Sequence, residues 1–127
     1  MKKIILAALF LAMVSCKKES EESFGKPTET PNQTITPVAL GKEIFEGKGN
    51  CISCHRIDQK LIGPSLQEIA KIYKDKNGNM VHFFKGESEA IVDPNQAAVM
   101  EANLVILKAM SNEELQGLEA YIHSTLK

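Results

Sequence analysis

Two cysteines three residues apart, followed at once by a histidine, constrain the fold of this chain more than any other feature of its sequence. They are Cys51, Cys54 and His55, which form a Cys-x-x-Cys-His motif. Three chemistries use two thiols at this spacing: a zinc site, a redox-active dithiol and the covalent attachment of haem. Each of them needs different surroundings, so the rest of the sequence decides among them.

The surroundings of the motif favour haem. A structural zinc site needs about four ligands, and the remaining histidines, His82 and His123, lie far apart and form no second ligand pair. A thioredoxin-like dithiol needs a βαβ setting, which the pattern of this chain does not offer. In haem attachment, two thiols add across two vinyl groups and the next imidazole reaches the iron. The motif therefore predicts one covalent haem c, bonded to Cys51 and Cys54 with His55 as iron ligand, and leaves zinc or dithiol chemistry as the alternative.

The hydrophobic pattern predicts an all-α domain over residues 38–127. Apolar side chains recur at helical spacing in four segments, which begin near Pro37, Pro64, Met80 and Ser111. No stretch of useful length alternates between apolar and polar residues as a strand does. We therefore expect a small helical domain wrapped around one haem.

Residues 87–110 are the exception to this pattern. They lack clear periodicity, and the Asp93-Pro94 pair favours a long loop there. A domain of about 90 residues with four short helices is poorly equipped to stabilise itself, so we expect the haem to complete the core. The apolar residues that we expect to pack against it are Ile52, Leu61, Ile62, Leu66, Ile69, Phe83, Phe84, Val99, Leu104 and Ile106.

The domain resembles a class I (mono-haem) c-type cytochrome over essentially all of residues 38–127. The run Gly41–Phe45 looks like the first helix of that family, whose glycine lets the last helix cross closely, and Tyr121 looks like the aromatic that it meets. The run Gly63–Leu66 resembles the family's Gly-Pro-x-Leu. The resemblance implies that the carbonyl of Pro64 accepts a hydrogen bond from the haem-ligating histidine, which fixes the ring orientation.

The resemblance also implies a methionine sulfur as the second axial ligand. Met100 lies 45 residues after the histidine of the motif, in the region where the family carries this ligand, and we assign it that role. It is followed by Glu-Ala-Asn rather than by the proline that is frequent in the family. The alternatives are Met110, which precedes the last helix, Met80 and His82.

The N-terminal residues resemble a bacterial lipoprotein signal. A basic start is followed by the apolar run from Ile4 to Val14, which is short for a membrane span, and then by Cys16. Met13 stands where leucine is usual in such signals, and an ordinary signal peptide cut elsewhere is the alternative. We expect residues 1–15 to be removed, Cys16 to be lipidated, and residues 16–37 to serve as a flexible tether.

These features predict a carrier of single electrons rather than an enzyme. The net charge of −1 offers no basic excess to neutralise nucleic acid. We expect an exported monomer that is lipid-anchored to a bacterial membrane, faces the periplasm or the cell surface, and transiently meets redox donors and acceptors of a respiratory chain. The alternatives are an open-site haem protein, such as a gas sensor or weak peroxidase, and a haem subunit of a larger oxidoreductase complex.

Overall fold

The computed structural model describes residues 35–127, so the predicted signal at residues 1–15 and the predicted lipidation at Cys16 lie outside the described residues. The same is true of all but the end of the predicted tether. None of the helices in the described part is long and apolar enough to cross a bilayer. Five α-helices form the domain: α1 Pro37–Glu46, α2 Leu66–Asp75, α3 Met80–Lys85, α4 Ala97–Lys108 and α5 Asn112–Ser124.

Two short 3-10 turns, Cys51–Ser53 and Pro94–Gln96, complete the regular structure, and residues 35–127 contain no strand. The predicted all-α fold is confirmed. Every helix contributes to one core, whose largest fully buried side chains are Ile44, Leu66, Met80, Leu107, Leu115 and Leu118.

Local capping explains where the helices begin. Helix α1 starts at Pro37, after Thr36, whose hydroxyl accepts a hydrogen bond from the backbone N–H of Ala39. Helix α5 starts with a capping box: the N–H of Glu114 donates to the Ser111 hydroxyl, and the N–H of Ser111 donates to the Glu114 carboxylate. Both starts lie where the sequence predicted them, near Pro37 and Ser111, and each cap satisfies backbone donors that the first helical turn leaves free.

Helices α1 and α5 cross so closely that their backbones touch. A Cβ atom on Gly41 would lie 1.9 Å from the carbonyl oxygen of Gly117 and 2.7 Å from the Cβ of Tyr121. The rings of Phe45 and Tyr121 pack beside this crossing, with centroids 5.5 Å apart. The close approach expected at Gly41 is thus present, and Gly117 is its counterpart on α5.

The prediction of a long loop over residues 87–110 is wrong for its second half. Residues 97–108 form α4, a helix of about three turns. Helical periodicity did not show this helix because apolar residues lie on nearly every face of α4. Val99, Val105 and Ile106 are 60%, 70% and 39% exposed, so no polar stripe marks the side that faces solvent. The irregular segment is confined to the stretch between α3 and the turn that begins at Pro94.

Candidate functional site

A cavity of about 420 Å³ lies at the centre of the domain, and its wall includes residues of all five helices and both 3-10 turns. Most of the wall is apolar, and this volume lies in the range of cofactor pockets. Cys51, Cys54 and His55 all line it. The motif and the apolar helix faces therefore meet at one place.

The turn that follows α1 brings the three motif residues to the same wall. Asn50 takes a left-handed conformation with φ of 52°, and Cys51 then begins a 3-10 turn. The N–H groups of Cys54 and His55 both donate to the carbonyl of Cys51, at 3.1 and 2.9 Å. This tight winding places side chains that are three and four residues apart next to each other.

His55 is oriented by a hydrogen bond and by a missing side chain. Its Nδ1 lies 2.7 Å from the carbonyl oxygen of Pro64. Because a carbonyl only accepts, Nδ1 carries the proton, and Nε2 keeps the lone pair that a metal requires. A Cβ on Gly63 would lie 2.4 Å from Cε1 of the ring, so only glycine leaves room for the imidazole there. The contact that the resemblance implied for Pro64 is present.

The two thiols are free and differ in their surroundings. Cys51 is buried and Cys54 is half-buried, and no disulfide joins them. The Sγ of Cys51 donates to the carbonyl of Gly49 at 3.3 Å, and burial raises the pKa of this thiol to about 11. Among residues 35–127, no group of three or more His, Cys, Asp and Glu side chains is placed to hold a metal ion, so the structure offers no set of ligands that would complete a zinc site with these thiols.

The structure separates the four candidates for the second axial ligand. Met100, on α4, is half-buried and lines the cavity, and Met80, at the start of α3, is fully buried and also lines it. Met110 and His82 do not line the cavity. His82 is exposed on α3, and Met110 lies in the middle of the α4–α5 connection. The cavity therefore receives two thioether side chains besides the motif.

Asn103 also lines the cavity, and it is half-buried. Its Nδ2 donates to the carbonyl of Gly49 at 3.1 Å, which joins α4 to the loop before Cys51. The sequence offered no signal for this contact, because the two residues are 54 positions apart.

One carboxylate is set into the apolar wall. Asp93 is the only acidic residue among the described residues that line the cavity. Its carboxylate accepts a hydrogen bond from Nε2 of Gln96 at 3.0 Å and lies 4.0 Å from the ammonium of Lys60. These two partners offset its charge at the edge of a largely apolar space.

The predicted apolar contacts are mostly present. The predicted residues that line the cavity are Ile62, Leu66, Ile69, Phe83, Phe84, Val99 and Ile106. The predictions for Ile52, Leu61 and Leu104 are wrong: the first two are 42% and 47% exposed, and Leu104 packs against the core away from the cavity. Ile52 is the second residue of the 3-10 turn and is absent from the cavity wall, whereas Cys51 and Cys54 on either side of it line the cavity. The lining residues that were missed include Phe45, Tyr73, Ile91, Val92, Leu118 and Ile122.

The residues present fit the haem that the motif predicts. Two neighbouring thiols, an imidazole with a free Nε2, a thioether on α4 and an apolar wall meet around a single cavity. Gly63 leaves space at the imidazole that any Cβ would fill. Two cysteines that could bond the ring, with a histidine and a methionine that could bind the iron, are the residue types that a c-type haem uses.

Comparisons with known proteins agree with this fit. A family model described as Cytochrome c matches residues 38–126. The chain is 36% identical over 44 residues to cytochrome c-551 from Pseudomonas denitrificans, a stretch that covers 35% of this chain and 52% of that protein. It is 45% identical over 38 residues to cytochrome c-551 from Azotobacter vinelandii, covering 30% of this chain and 45% of that protein.

A third relative is cytochrome c-552 from Nitrosomonas europaea. The identity is 50% over 30 residues, which cover 24% of this chain and 29% of that protein. The chain thus spans about half, or less, of the length of the curated relatives it matches.

Proposed function

This chain belongs to the cytochrome c family, and from that premise we propose that it is a one-electron carrier rather than an enzyme. The family's cofactor is one covalently attached haem c. The observation that supports the proposal best is the shared cavity of Cys51, Cys54, His55 and Met100, because these residues supply two attachment points and two axial ligands.

The roles that we propose follow the chemistry of each side chain. Cys51 and Cys54 would form the thioethers, Nε2 of His55 would bind the iron, and the sulfur of Met100 would be the second protein ligand. Haem c would supply an Fe(II)/Fe(III) couple, and a thioether ligand would raise its reduction potential. Iron held by both residues would leave no position for a substrate, which favours electron exchange over catalysis.

The protein itself makes two contributions: it orients the imidazole of His55, and it excludes water from the site. The Pro64 carbonyl holds the imidazole of His55 in one tautomer and one orientation, which leaves Nε2 free to bind a metal. The apolar wall keeps water from the site, so a change of charge there meets little solvent rearrangement. Electron exchange therefore needs no proton transfer from a neighbouring group, and the described wall offers only Asp93 as a carboxylate.

We further propose that the carrier works tethered at a membrane. In this proposal the signal at residues 1–15 directs export. The chain is then cleaved before Cys16, and the thiol of Cys16 is lipidated. Residues 16–37 link this anchor to the haem domain of residues 38–127. A tether of about 20 residues reaches roughly 70 Å when fully extended. It keeps the carrier at high effective concentration near membrane-bound donors and acceptors.

The partners in this proposal are respiratory proteins at a bacterial membrane, on its periplasmic side or at the cell surface. The domain acts as a monomer, since an electron carrier must meet its donor and acceptor in turn. Such encounters use small interfaces that separate quickly.

An optical spectrum tests the central proposal. We expect haem that survives acid–acetone extraction, a weak far-red band in the oxidised protein from sulfur–iron ligation, and no response of the reduced protein to carbon monoxide. Extractable haem would overturn the assignment of Cys51 and Cys54. Ready carbon monoxide binding with no far-red band would favour an open-site haem protein, such as a gas sensor or weak peroxidase.

The anchor is tested separately, by fractionating cells that express the full chain. We expect the protein in the membrane fraction and labelled by a radioactive fatty acid, whereas Cys16→Ser is unlabelled. Recovery of unlabelled native protein in the soluble fraction would rule out the tether and leave the electron-carrier proposal standing.

A further inference from the structure

We propose that residues 87–93 form a lid over the mouth of the cavity, and that the side chains of Lys60 and Lys76 hold this lid closed. The segment joins α3 to the 3-10 turn that begins at Pro94, and we call it the strap. The lid rests on contacts within the protein, whereas the second part of its test also rests on the proposed function, because it takes the haem as bound.

The strap covers one side of the cavity. Its last four residues, 90–93, all line the cavity and are half-buried, whereas residues 87–89 are exposed. None of the seven belongs to a helix or a strand. Ile91 and Val92 add apolar surface to the wall, while the other side of the strap meets solvent. A segment placed in this way can act as a cover.

Backbone hydrogen bonds hold only the ends of the strap. At one end, the N–H of Glu87 donates to the carbonyl of His82 at 2.8 Å. At the other end, the carbonyl of Asp93 accepts from the N–H of Gln96 at 3.2 Å. Residues 88–92 form no backbone–backbone hydrogen bond within the described part of the chain. Because such segments open locally while neighbouring helices stay folded, the closed strap depends on its side-chain contacts.

Lys76 makes the first of these contacts. Its Nζ donates to the carbonyl oxygen of Ile91 at 2.9 Å. Lys76 follows α2 directly, and its own N–H is bonded to the carbonyls of Ile72 and Lys74, so its backbone is fixed to the helix end. A Cβ on Gly78 would lie 2.7 Å from Cδ1 of Ile91, so the side chain of Ile91 packs on the same turn. The middle of the strap is thereby attached to the end of α2.

Lys60 makes the second contact, from the loop that follows the motif. Its Nζ lies 4.0 Å from Oδ2 of Asp93. The backbone of Lys60 pairs with His55 in an isolated β-bridge, which fixes the lysine to this loop. Ile62, two residues further on, lines the cavity and is 53% exposed, so the cavity opens to solvent close to this loop. The ion pair therefore joins the strap to the wall at the mouth of the cavity.

Limited proteolysis of the purified protein measures how often the strap opens. Thermolysin cleaves before bulky apolar residues, and in the strap these are Ile91 and Val92, which line the cavity. We expect Lys60→Gln, Asp93→Asn and Lys76→Gln each to speed cleavage there roughly two- to fivefold, the effect of losing one contact at a surface. Lys60→Gln and Asp93→Asn change the net charge in opposite directions, so an increase in both cannot come from charge alone.

Lys71→Gln and Asp75→Asn are the matched controls. These two residues form an exposed ion pair within α2, and neither lines the cavity. Both controls should leave cleavage of the strap unchanged. The double variant Lys60→Gln/Asp93→Asn should be cleaved no faster than the faster of its single variants, because both changes remove the same contact. Additive effects in the double variant, or cleavage of the single variants at the unmodified rate, would overturn the proposal.

The rate of carbon monoxide binding tests whether the strap controls entry to the cavity. In a Met100→Ala background, no protein sulfur competes for the reduced iron, and flash photolysis gives the association rate. We expect Lys60→Gln to raise this rate by about the same factor as it raises cleavage of the strap. Faster cleavage with an unchanged association rate would overturn the strap as the entrance. A purified protein without haem would overturn the proposed function, and the cleavage experiment would still decide whether the lid exists.

Discussion

The imidazole of His55 and the carbonyl of Pro64 meet at 2.7 Å because Gly63 has no side chain between them. A Cβ on Gly63 would lie 2.4 Å from Cε1 and 2.9 Å from Nδ1 of the ring. Gly63 therefore leaves the room that the ring needs, and the carbonyl of Pro64 accepts a hydrogen bond from Nδ1–H of the ring. Space for the ring and a hydrogen-bond acceptor for Nδ1 are both supplied by the backbone of residues 63 and 64, not by a reactive side chain.

We expect Gly63→Ala to rotate the imidazole and break its bond to Pro64. Loss of such an orienting partner typically weakens metal ligation by roughly tenfold or more, so the variant should show less low-spin haem and an altered reduction potential. Optical spectra and a redox titration measure both. Gln59→Ala, an exposed change in the same loop, is the control; an unchanged potential in Gly63→Ala would contradict the orienting role.

Gly41→Ala should destabilise the whole domain. The added methyl group meets the Gly117 backbone at 1.9 Å, where no rotamer change can relieve the contact. Overpacking of this kind costs about 1–3 kcal/mol, and more where backbones must separate. Denaturant unfolding of the holoprotein measures the loss. Glu43→Ala, on the exposed side of the same helix, should stay within about 0.5 kcal/mol of the unmodified protein.

The ion pair between Lys48 and Glu114 should make stability depend on pH. The hydrogen bond from Lys48, followed by those from the backbone and side chain of Ser111, lowers the pKa of Glu114 to about 2. A carboxyl whose pKa is lowered by folding stabilises the protein above its unfolded value, and this contribution is lost as the pH falls through the folded value.

Lys48→Ala should therefore lower the melting temperature at pH 5 to 8, and the difference from the unmodified protein should shrink as the pH falls towards 2. Melting curves across this range test the prediction. Lys74→Ala removes a lysine that forms no ion pair within residues 35–127, and it should give a small difference that does not follow this pH dependence. A pH-independent effect of Lys48→Ala would contradict the prediction.

Met100→Ala should abolish the far-red sulfur band, lower the reduction potential and open the reduced iron to carbon monoxide. Met110→Ala and His82→Ala change residues that do not line the cavity, and both should keep the band. Retention of the band in Met100→Ala would transfer the ligand role to Met80, the other methionine of the wall.

Met80 should prove to be a packing residue. It is fully buried at the start of α3, so Met80→Ala should cost about 2–5 kcal/mol of unfolding free energy. Met80→Leu conserves the volume and should cost less than about 1.5 kcal/mol while keeping the far-red band. Loss of the band in Met80→Leu would contradict this assignment.

The sequence predicted best those features that depend on residues close together in the chain. The motif at Cys51, Cys54 and His55 indicated the cofactor, and the caps at Thr36 and Ser111 marked two helix starts, because each depends on residues that are neighbours in the chain. The resemblance to class I c-type cytochromes is confirmed by the family match.

Features that arise only after folding were missed. Helix α4 lacks a polar stripe because its apolar residues serve the core, the cavity and the exposed surface at once; Val105, for example, is 70% exposed. The bond from Asn103 to Gly49 joins positions 54 residues apart, and the sequence does not show such pairs. Ile52 and Leu61 were misjudged because apolarity alone does not tell on which side of a turn a residue lies.

The contact between α1 and α5 has a consequence for the order in which the protein is made. It joins the first and last helices, so the loop that it closes includes nearly the whole domain. Gly117 leaves the ribosome after Cys51, and until it does α1 lacks the helix that it touches most closely. A nascent chain that ends before α5 therefore cannot form this crossing, and the domain closes only when synthesis is almost complete.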